Sequence, residues 1–235
     1  MTIPKTIHYC WFGRNPLPES ARRCIASWRR FFPDYEIKEW NEDNFDVYAI
    51  AYTRDAYKAG KYAFVSDYAR FWVLWNEGGV YFDTDVEVVR PMDDILSAGA
   101  YMGWETPSLD GVYRINPGVG LAMPPAMPLC RTIMEAFEQR MTFLGSDGKM
   151  NAYTMIPMIN DTLVPLGLKN DGKKQVVDGL TVYPPEYFCP LDTLTGKMRR
   201  TPQTRSIHWF TMSWMSPWQQ FRLRLSRLYH RLKNM

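Results

Sequence analysis

Apolar residues are densest between Ala63 and Val89, and their spacing changes along this stretch. In its first part they recur every three or four positions, which is typical of the buried face of a helix. These residues are Phe64, Tyr68, Phe71, Trp72 and Trp75. Gly78 and Gly79 are expected to form a left-handed helix end, and Val80-Tyr81-Phe82 has the apolar character of a buried strand. The pattern predicts a core helix, a glycine turn and a core strand in succession.

The charged residues within this apolar stretch include two close pairs. Asp67 and Arg70 lie three residues apart in the predicted helix, so one helix face brings them within reach of each other. Asp83 and Asp85 follow the strand, and an extended backbone would place them on one face with Tyr81. Buried charges need a partner or a metal, and Mg²⁺ and Mn²⁺ prefer carboxylate oxygens. The alternative is that the two aspartates are ordinary turn residues.

The flanking sequence alternates between strand and helix patterns. The predicted elements are a strand at 3–13, a helix at 20–32, a strand at 35–40, a helix at 128–143, a strand at 181–188 and a strand at 206–209. The first three form a βαβ unit, so we predict an α/β fold with a mostly parallel central sheet. Such sheets bind ligands at the carboxyl ends of their strands. Trp11, Trp40 and the two aspartates are therefore expected on one rim.

Length and composition fit one soluble globular domain. The chain has 235 residues, of which 46% are hydrophobic, 23% charged and 15% aromatic, and it contains no internal repeat. The high aromatic content suits either a core or a surface that stacks on sugars or bases. The four cysteines have no paired spacing and are expected to be buried thiols. We predict a domain at 1–216 and an additional helix at 217–235.

The positive charge is concentrated near the end of the chain. After Asp192 there are nine basic residues and no acidic one; since the whole chain carries +3, residues 1–192 carry a net −6. From Trp218 onwards, apolar residues share one helical arc flanked by arginines, which is typical of a helix lying on an anionic membrane surface. The alternative is a terminal helix packed on the domain. Without a signal peptide or a spanning segment, we expect a cytoplasmic protein, peripheral on the inner face of the membrane.

The segment SDYARFWVLWNEGGVYFDTDVEVV resembles the core of glycosyltransferase family 32. These DXD-containing sugar transferases include capsular-polysaccharide enzymes and yeast mannosyltransferases, and their core is similar to that of the clostridial glucosylating toxins. The resemblance extends from IPKTIHYCWFG to HWFTMSW. It implies a GT-A-like, Rossmann-like fold and retaining transfer of a hexose from a nucleotide-diphospho sugar, with Mn²⁺ or Mg²⁺ as cofactor.

The resemblance also implies roles for particular residues. Trp11 would stack on the nucleotide base, and Asp67 and Arg70 would hold the hydroxyls and phosphate side of the donor sugar. Asp83 would contact the ribose and the sugar beside the metal, and Asp85 would bind the metal directly. Tyr81 belongs to the same nucleotide-sugar site.

Weaker correspondences concern residues outside the core segment. Asn116 would lie near the anomeric carbon and is grouped with Asp67 and Arg70 as a catalytic residue. His208 is a candidate third metal ligand. Ser213 and Trp214 would close on the diphosphate. Trp104 and Glu105 are candidates for the acceptor side, and the alternative for Trp104 is a packed residue of a strand. No residue stands out as a nucleophile, which fits a mechanism in which the leaving phosphate helps to take the acceptor proton.

The function predicted from the sequence is transfer of a hexose to a glycan or lipid-linked acceptor in surface polysaccharide synthesis, such as capsule or lipopolysaccharide. UDP is favoured as the carrier because Trp11 resembles a uracil-stacking residue. The alternative is a non-catalytic, membrane-associated glycan-binding module. A haloacid dehalogenase phosphatase is disfavoured because Glu87 stands where that family has Thr or Val. Nucleic-acid binding is disfavoured because the acidic body would repel a phosphate backbone.

Overall fold

The computed structural model describes residues 2–107, 110–211, 218 and 222. Within these residues the helices are α1 Glu19–Phe31, α2 Ala51–Lys58, α3 Tyr62–Glu77, α4 Asp93–Ser97, α5 Pro128–Arg140, α6 Met155–Leu163 and α7 Pro185–Phe188, with a 3₁₀ turn at Val164–Leu166. The strands are β1 Thr6–Cys10, β2 Glu36–Trp40, β3 Gly79–Tyr81, β4 Val86–Val88, β5 Tyr101–Gly103, β6 Leu121–Met123, β7 Gln175–Val177, β8 Leu180–Tyr183 and β9 Ser206–His208.

Seven of these strands form the central sheet, in the order β2-β1-β3-β6-β5-β8-β7. β1 is parallel to β2 and β3, and β5 is parallel to β8. β6 is antiparallel to β3 and β5, and β7 is antiparallel to β8. Five of the seven strands therefore run in one direction, which confirms the predicted α/β class and mostly parallel sheet. β4 and β9 pair with each other in a separate antiparallel ribbon.

The core is divided between the two faces of the central sheet. Neighbouring residues of a strand point to opposite faces, and accordingly Tyr81 belongs to one buried cluster and Val80 to the other. The first cluster contains the apolar faces of α2, α3, α5 and α6, and the second contains those of α1 and α4. All four cysteines are buried and free, as predicted.

The central helix of the sequence pattern is α3, which connects directly to the middle of the sheet. Gly78 ends it with φ 64° and ψ −169°, so the predicted left-handed cap is wrong: this backbone region is accessible essentially to glycine alone. A Cβ on Gly78 would also lie 2.5 Å from Cδ of Pro125. The sharp reversal places β3 beside β1, and Phe82 continues the pairing by donating its N–H to the carbonyl of His8.

Two other predictions are corrected. The strand predicted at 181–188 stops at Tyr183, because Pro184 and Pro185 cannot donate to a sheet and instead begin α7. Trp40 ends β2 beside Cys10, at the predicted rim, but its side chain is buried in the core, where its Nε1–H donates to Nδ1 of His8 at 3.0 Å.

The predicted helix at 217–235 lies outside the described residues except for Trp218 and Arg222, so the division into 1–216 and 217–235 stays a prediction. Among the helices that the structure describes, none combines the length and apolar character needed to cross a membrane.

Candidate active site

The two aspartates after β3 lie in a turn, not on an extended strand. The N–H of Val86 donates to the carbonyl of Asp83 at 2.9 Å, which closes a tight turn before β4. The expected extended backbone through these residues is therefore wrong, although Tyr81, Asp83 and Asp85 do line one cavity. The chain reverses between the two carboxylates, and this reversal is what allows both to approach the same imidazole.

That imidazole belongs to His208 on β9. Val86 pairs with His208 in the antiparallel ribbon, which fixes the histidine beside the turn. Its Nε2 lies 3.1 Å from Oδ1 of Asp85 and 3.7 Å from Oδ2 of Asp83. One ligand atom from each of the three side chains lies within 4.8 Å of the others. Two carboxylate oxygens and one imidazole nitrogen at this spacing have the composition of a divalent metal site.

Asp85 is held from its other side by Thr211. The N–H and the hydroxyl of Thr211 both donate to Oδ2 of Asp85, at 2.8 and 3.0 Å. The chain returns to Asp85 because Phe210 adopts φ 48°, a conformation that is unusual for a bulky residue. Burial favours a higher pKa for Asp85, but His208 and the two hydrogen bonds outweigh it and hold the pKa well below its usual range. Oδ1 of Asp85 is therefore a charged, oriented ligand atom.

His208 is buried between two negative charges. Burial by itself lowers the pKa of His208, but Asp85 and Asp83 outweigh this and raise it to about 10. Its Nδ1 has no hydrogen-bond partner among the described residues, and the ring is perpendicular to that of Phe210, with centroids 4.0 Å apart. The raised pKa favours a protonated imidazole that offsets part of the carboxylate charge, and a metal ion would replace that proton.

Arg70 connects helix α3 to the turn. Its Nη2 lies 3.0 Å from Oδ1 of Asp67 and 3.2 Å from Oδ1 of Asp83, and its guanidinium lies 4.8 Å from the ring centroid of Tyr81. The side chain is only 3% exposed, yet its Nη1 has no hydrogen-bond partner among the described residues. Burial raises the pKa of Asp67 to about 7, with Arg70 opposing the shift and Asp83 adding to it. A fixed positive charge with a free donor therefore lies beside the candidate metal site.

Glu105, which the sequence offers as a residue of the acceptor side, also lies in the site. It follows β5 and lines the same cavity, and its Oε2 accepts a hydrogen bond from Nδ2 of Asn116 at 3.0 Å. Burial raises its pKa. Glu105 follows an apolar strand just as Asp83 does. The oxygen of the Asn116 amide is hydrogen-bonded as well, since its Oδ1 accepts from the N–H of Gly118 at 2.8 Å.

These side chains face one cavity of about 820 Å³. Nine of the candidate site residues line it: Trp11, Asp67, Arg70, Tyr81, Asp83, Asp85, Glu105, Asn116 and His208. Trp11 is half-buried, and its Nε1–H donates to the carbonyl of Asn15 at 2.6 Å. Apolar side chains including Phe64, Met150, Met155 and Ile156 form another part of the wall. Ser213 and Trp214 lie outside the described residues.

The cavity combines features that suit an anionic substrate with several hydroxyl groups. Carboxylates can accept hydrogen bonds from hydroxyl groups, Arg70 supplies a positive charge and a donor in Nη1, and the group of Asp83, Asp85 and His208 can hold a divalent cation. Aromatic surface at Trp11 offers a stacking face.

Part of the chain is similar to characterised yeast proteins. The chain is 29% identical over 111 residues to inositol phosphoceramide mannosyltransferase 1 of Schizosaccharomyces pombe, covering 43% of this chain and 33% of that protein. It is 30% identical over 110 residues to inositol phosphoceramide mannosyltransferase 3 of the same yeast, covering 45% of this chain and 31% of that protein. The matched part of the chain thus spans about a third of the length of these relatives.

Solved structures give more distant similarities. The galactosyltransferase LgtC in complex with donor and acceptor sugar analogues aligns with a TM-score of 0.49 and 16% identity, covering 94% of this chain and 95% of that one. The PaToxG glycosyltransferase aligns with a TM-score of 0.47 and 19% identity, covering 57% of this chain and 60% of that one.

The family comparison concerns the stretch that carries the acidic turn. Residues 18–101 match a family model described as a glycosyltransferase sugar-binding region containing a DXD motif. This range includes Asp67, Arg70, Tyr81 and both aspartates of Asp83-Thr84-Asp85, whereas Glu105, Asn116 and His208 lie beyond it. The resemblance to the DXD-containing sugar transferases is confirmed over residues 18–101, which are similar to the glycosyltransferase sugar-binding region that contains this motif.

Proposed function

We propose that this protein is a metal-dependent glycosyltransferase that moves a hexose from a nucleoside-diphospho sugar to a glycan or lipid-linked acceptor. The observation that carries the proposal is the convergence of Asp83, Asp85 and His208 beside the guanidinium of Arg70 in one cavity. The family match over residues 18–101 supports the reaction class.

The cation would be Mn²⁺ or Mg²⁺, held by Asp85, Asp83 and His208. When bound, it would neutralise the charge that develops on the diphosphate as the bond to the sugar breaks. Thr211 orients Asp85 for this task, because its two hydrogen bonds occupy Oδ2 and leave Oδ1 directed at His208.

Arg70 would bind the diphosphate or a sugar hydroxyl through its free Nη1. The guanidinium is fixed by Asp67, Asp83 and the carbonyl of Ser66, so it loses little further freedom when the donor binds. Asp67 would then accept a hydrogen bond from a donor hydroxyl. We also propose that transfer is retaining and that the leaving phosphate helps to take the acceptor proton.

Trp11 would stack on the nucleotide base at the cavity wall. Stacking of a base on an aromatic side chain contributes about 1–3 kcal/mol and tolerates different bases, so it leaves both UDP and GDP open as carriers. The named activity of the yeast relatives is mannosyl transfer to inositol phosphoceramide, and the apolar wall of the cavity gives room for an acceptor with an apolar part. Surface polysaccharide synthesis at the inner face of the membrane, with the segment at 217–235 as anchor, remains our proposal for the setting.

The test is calorimetric titration of the purified protein with UDP and then GDP, each with and without Mn²⁺. We expect one nucleotide to bind in a metal-dependent manner, since its phosphates would complete the coordination that three protein ligands begin. Failure of both to bind folded protein in the presence of Mn²⁺ would contradict the proposal and favour the glycan-binding module, which should bind oligosaccharides without metal.

A further inference from the structure

The two carboxylates of the candidate metal site are held in different ways. Asp85 receives two hydrogen bonds from Thr211. Asp83 receives none from a described backbone N–H; its polar contacts are the ion-pair distances to Arg70 and His208, and its side chain is more exposed than that of Asp85, at 26% against 15%. The orientation of Asp83 therefore depends on these two side chains and on whatever else packs against its carboxylate.

Gly118 is the neighbour that closes on this carboxylate. A Cβ placed on Gly118 would lie 2.3 Å from Oδ2 of Asp83, 3.1 Å from Oδ1 of Asn116 and 3.4 Å from Nη1 of Arg70. Gly118 is buried, and its φ lies outside the left-handed region, so the backbone itself does not require glycine. Glycine at this position instead leaves space for the carboxylate of Asp83.

The segment that carries Gly118 is firmly anchored and cannot retreat from Asp83. Asn116 donates its backbone N–H to the carbonyl of Gly103 at 3.1 Å and its Nδ2 to Glu105 at 3.0 Å. In turn it accepts from the N–H groups of Gly118 at 2.8 Å and Val119 at 3.1 Å. If a side chain were added at position 118, the flexible carboxylate of Asp83 would move more easily than the backbone of Gly118.

We infer that Gly118 is a positioning residue for the metal site: its bare Cα forms the wall against which Asp83 is held in reach of His208 and Arg70. This role rests on the proposed function, because it assigns Asp83 to cation binding. Replacement by alanine would rotate Asp83 away from its partners. Because the added Cβ would contact only the ends of the Asp83, Asn116 and Arg70 side chains, we expect the fold to be retained.

The test is the affinity of the protein for Mn²⁺, measured by calorimetry without nucleotide, in wild type and in Gly118→Ala. We expect the dissociation constant to rise roughly 10–100-fold, as is typical when a residue that orients a metal ligand is changed, with a thermal midpoint close to that of wild type. Gly145→Ala is the matched control, since it also has no positive φ and its added Cβ would approach only the Asp147 carboxylate and the Lys149 carbonyl. It should leave Mn²⁺ affinity unchanged.

A double-mutant cycle separates positioning from a general structural role. In Asp83→Ala the clashing carboxylate is absent, so adding Gly118→Ala should change Mn²⁺ affinity no further. If Gly118→Ala alone does not fold, Asp83→Ala/Gly118→Ala should restore folding, because the clash is with that side chain. Additive losses, or a double variant that also fails to fold, would overturn the role of Gly118.

Different results of this experiment would overturn the proposed function and the role of Gly118. If wild type binds no Mn²⁺, the metal site is lost and the role of Gly118 with it. If wild type binds Mn²⁺ and Gly118→Ala binds it equally well, only the role of Gly118 is overturned.

Discussion

Two segments far apart in the chain supply the three candidate metal ligands, and they are attached to the protein in different ways. Residues 62–85 run through α3 and β3, which lie in the core and in the middle of the seven-stranded sheet. Residues 206–211 are held by the three-residue pairing of β9 with β4 and by hydrogen bonds to Asp85. Side chains of the first segment are therefore expected to contribute to both folding and activity. Those of the second are expected to affect mainly the site.

Arg70→Met should have the largest effect on stability and activity together, because Arg70 belongs to the core segment. Removing the guanidinium leaves Asp67 and Asp83 without their buried partner, and breaking a buried ion pair costs about 3–5 kcal/mol. We expect the free energy of unfolding to fall by about this amount in urea denaturation, with loss of transfer activity. Arg131→Met is the control, because Arg131 pairs with Glu135 and Glu138 on the surface and exposed pairs contribute about 0–1 kcal/mol. Equal stability of the two variants would contradict a structural role for Arg70.

Asp85→Asn tests the point where the two segments meet. The change preserves shape and the acceptor for Thr211 but removes the charge that a divalent cation needs. We expect metal-dependent turnover to fall on the order of 10²–10³-fold, the usual cost of losing a group that stabilises developing charge, with circular dichroism unchanged. Asp34→Asn, at a surface carboxylate that is 79% exposed, serves as control. Wild-type activity in Asp85→Asn would remove this residue from the metal site.

Trp11→Ala tests the cavity wall that belongs to neither segment. If Trp11 stacks on the base, nucleotide binding should weaken by about 1–3 kcal/mol, measured by calorimetry with the nucleotide that binds wild type. Tyr48→Ala, at an aromatic side chain that is 55% exposed, controls for loss of a ring elsewhere. Unchanged affinity in Trp11→Ala would leave Trp11 as a packing residue.

Thr211→Val should have the smallest effect and should isolate the second segment. It removes the hydroxyl donor to Asp85 but keeps the backbone donor, so we expect Mn²⁺ affinity to fall roughly 10-fold while the thermal midpoint stays unchanged. Thr211→Ser, which keeps the hydroxyl, should behave as wild type. A clear loss of stability in Thr211→Val would mean that the second segment supports the fold as well as the site.

The local predictions succeeded where neighbouring residues decide the outcome. The three-to-four spacing of apolar residues gave α3 nearly to the residue, and the spacing of Asp67 and Arg70 gave their contact. They failed where a turn mattered: the Asp83–Val86 hydrogen bond replaces the extended strand, and the prolines after Tyr183 end β8 early. The sequence offered Glu105 for the acceptor side but not its hydrogen bond with Asn116, because that contact depends on β5 being beside β6.

By itself, then, the sequence determined the α/β class, the core helix and strand around residues 62–81, the acidic motif and the family that this motif indicates. Hydrophobic periodicity and short-range spacing carry that information, because each depends on residues within a few turns of one another. The tertiary structure alone decided that Thr211 clamps Asp85, that the turn directs both carboxylates at His208, and that Gly118 leaves room for Asp83. These contacts join segments brought together by sheet pairing and by the packing of buried side chains, and no local pattern in the chain specifies such distances.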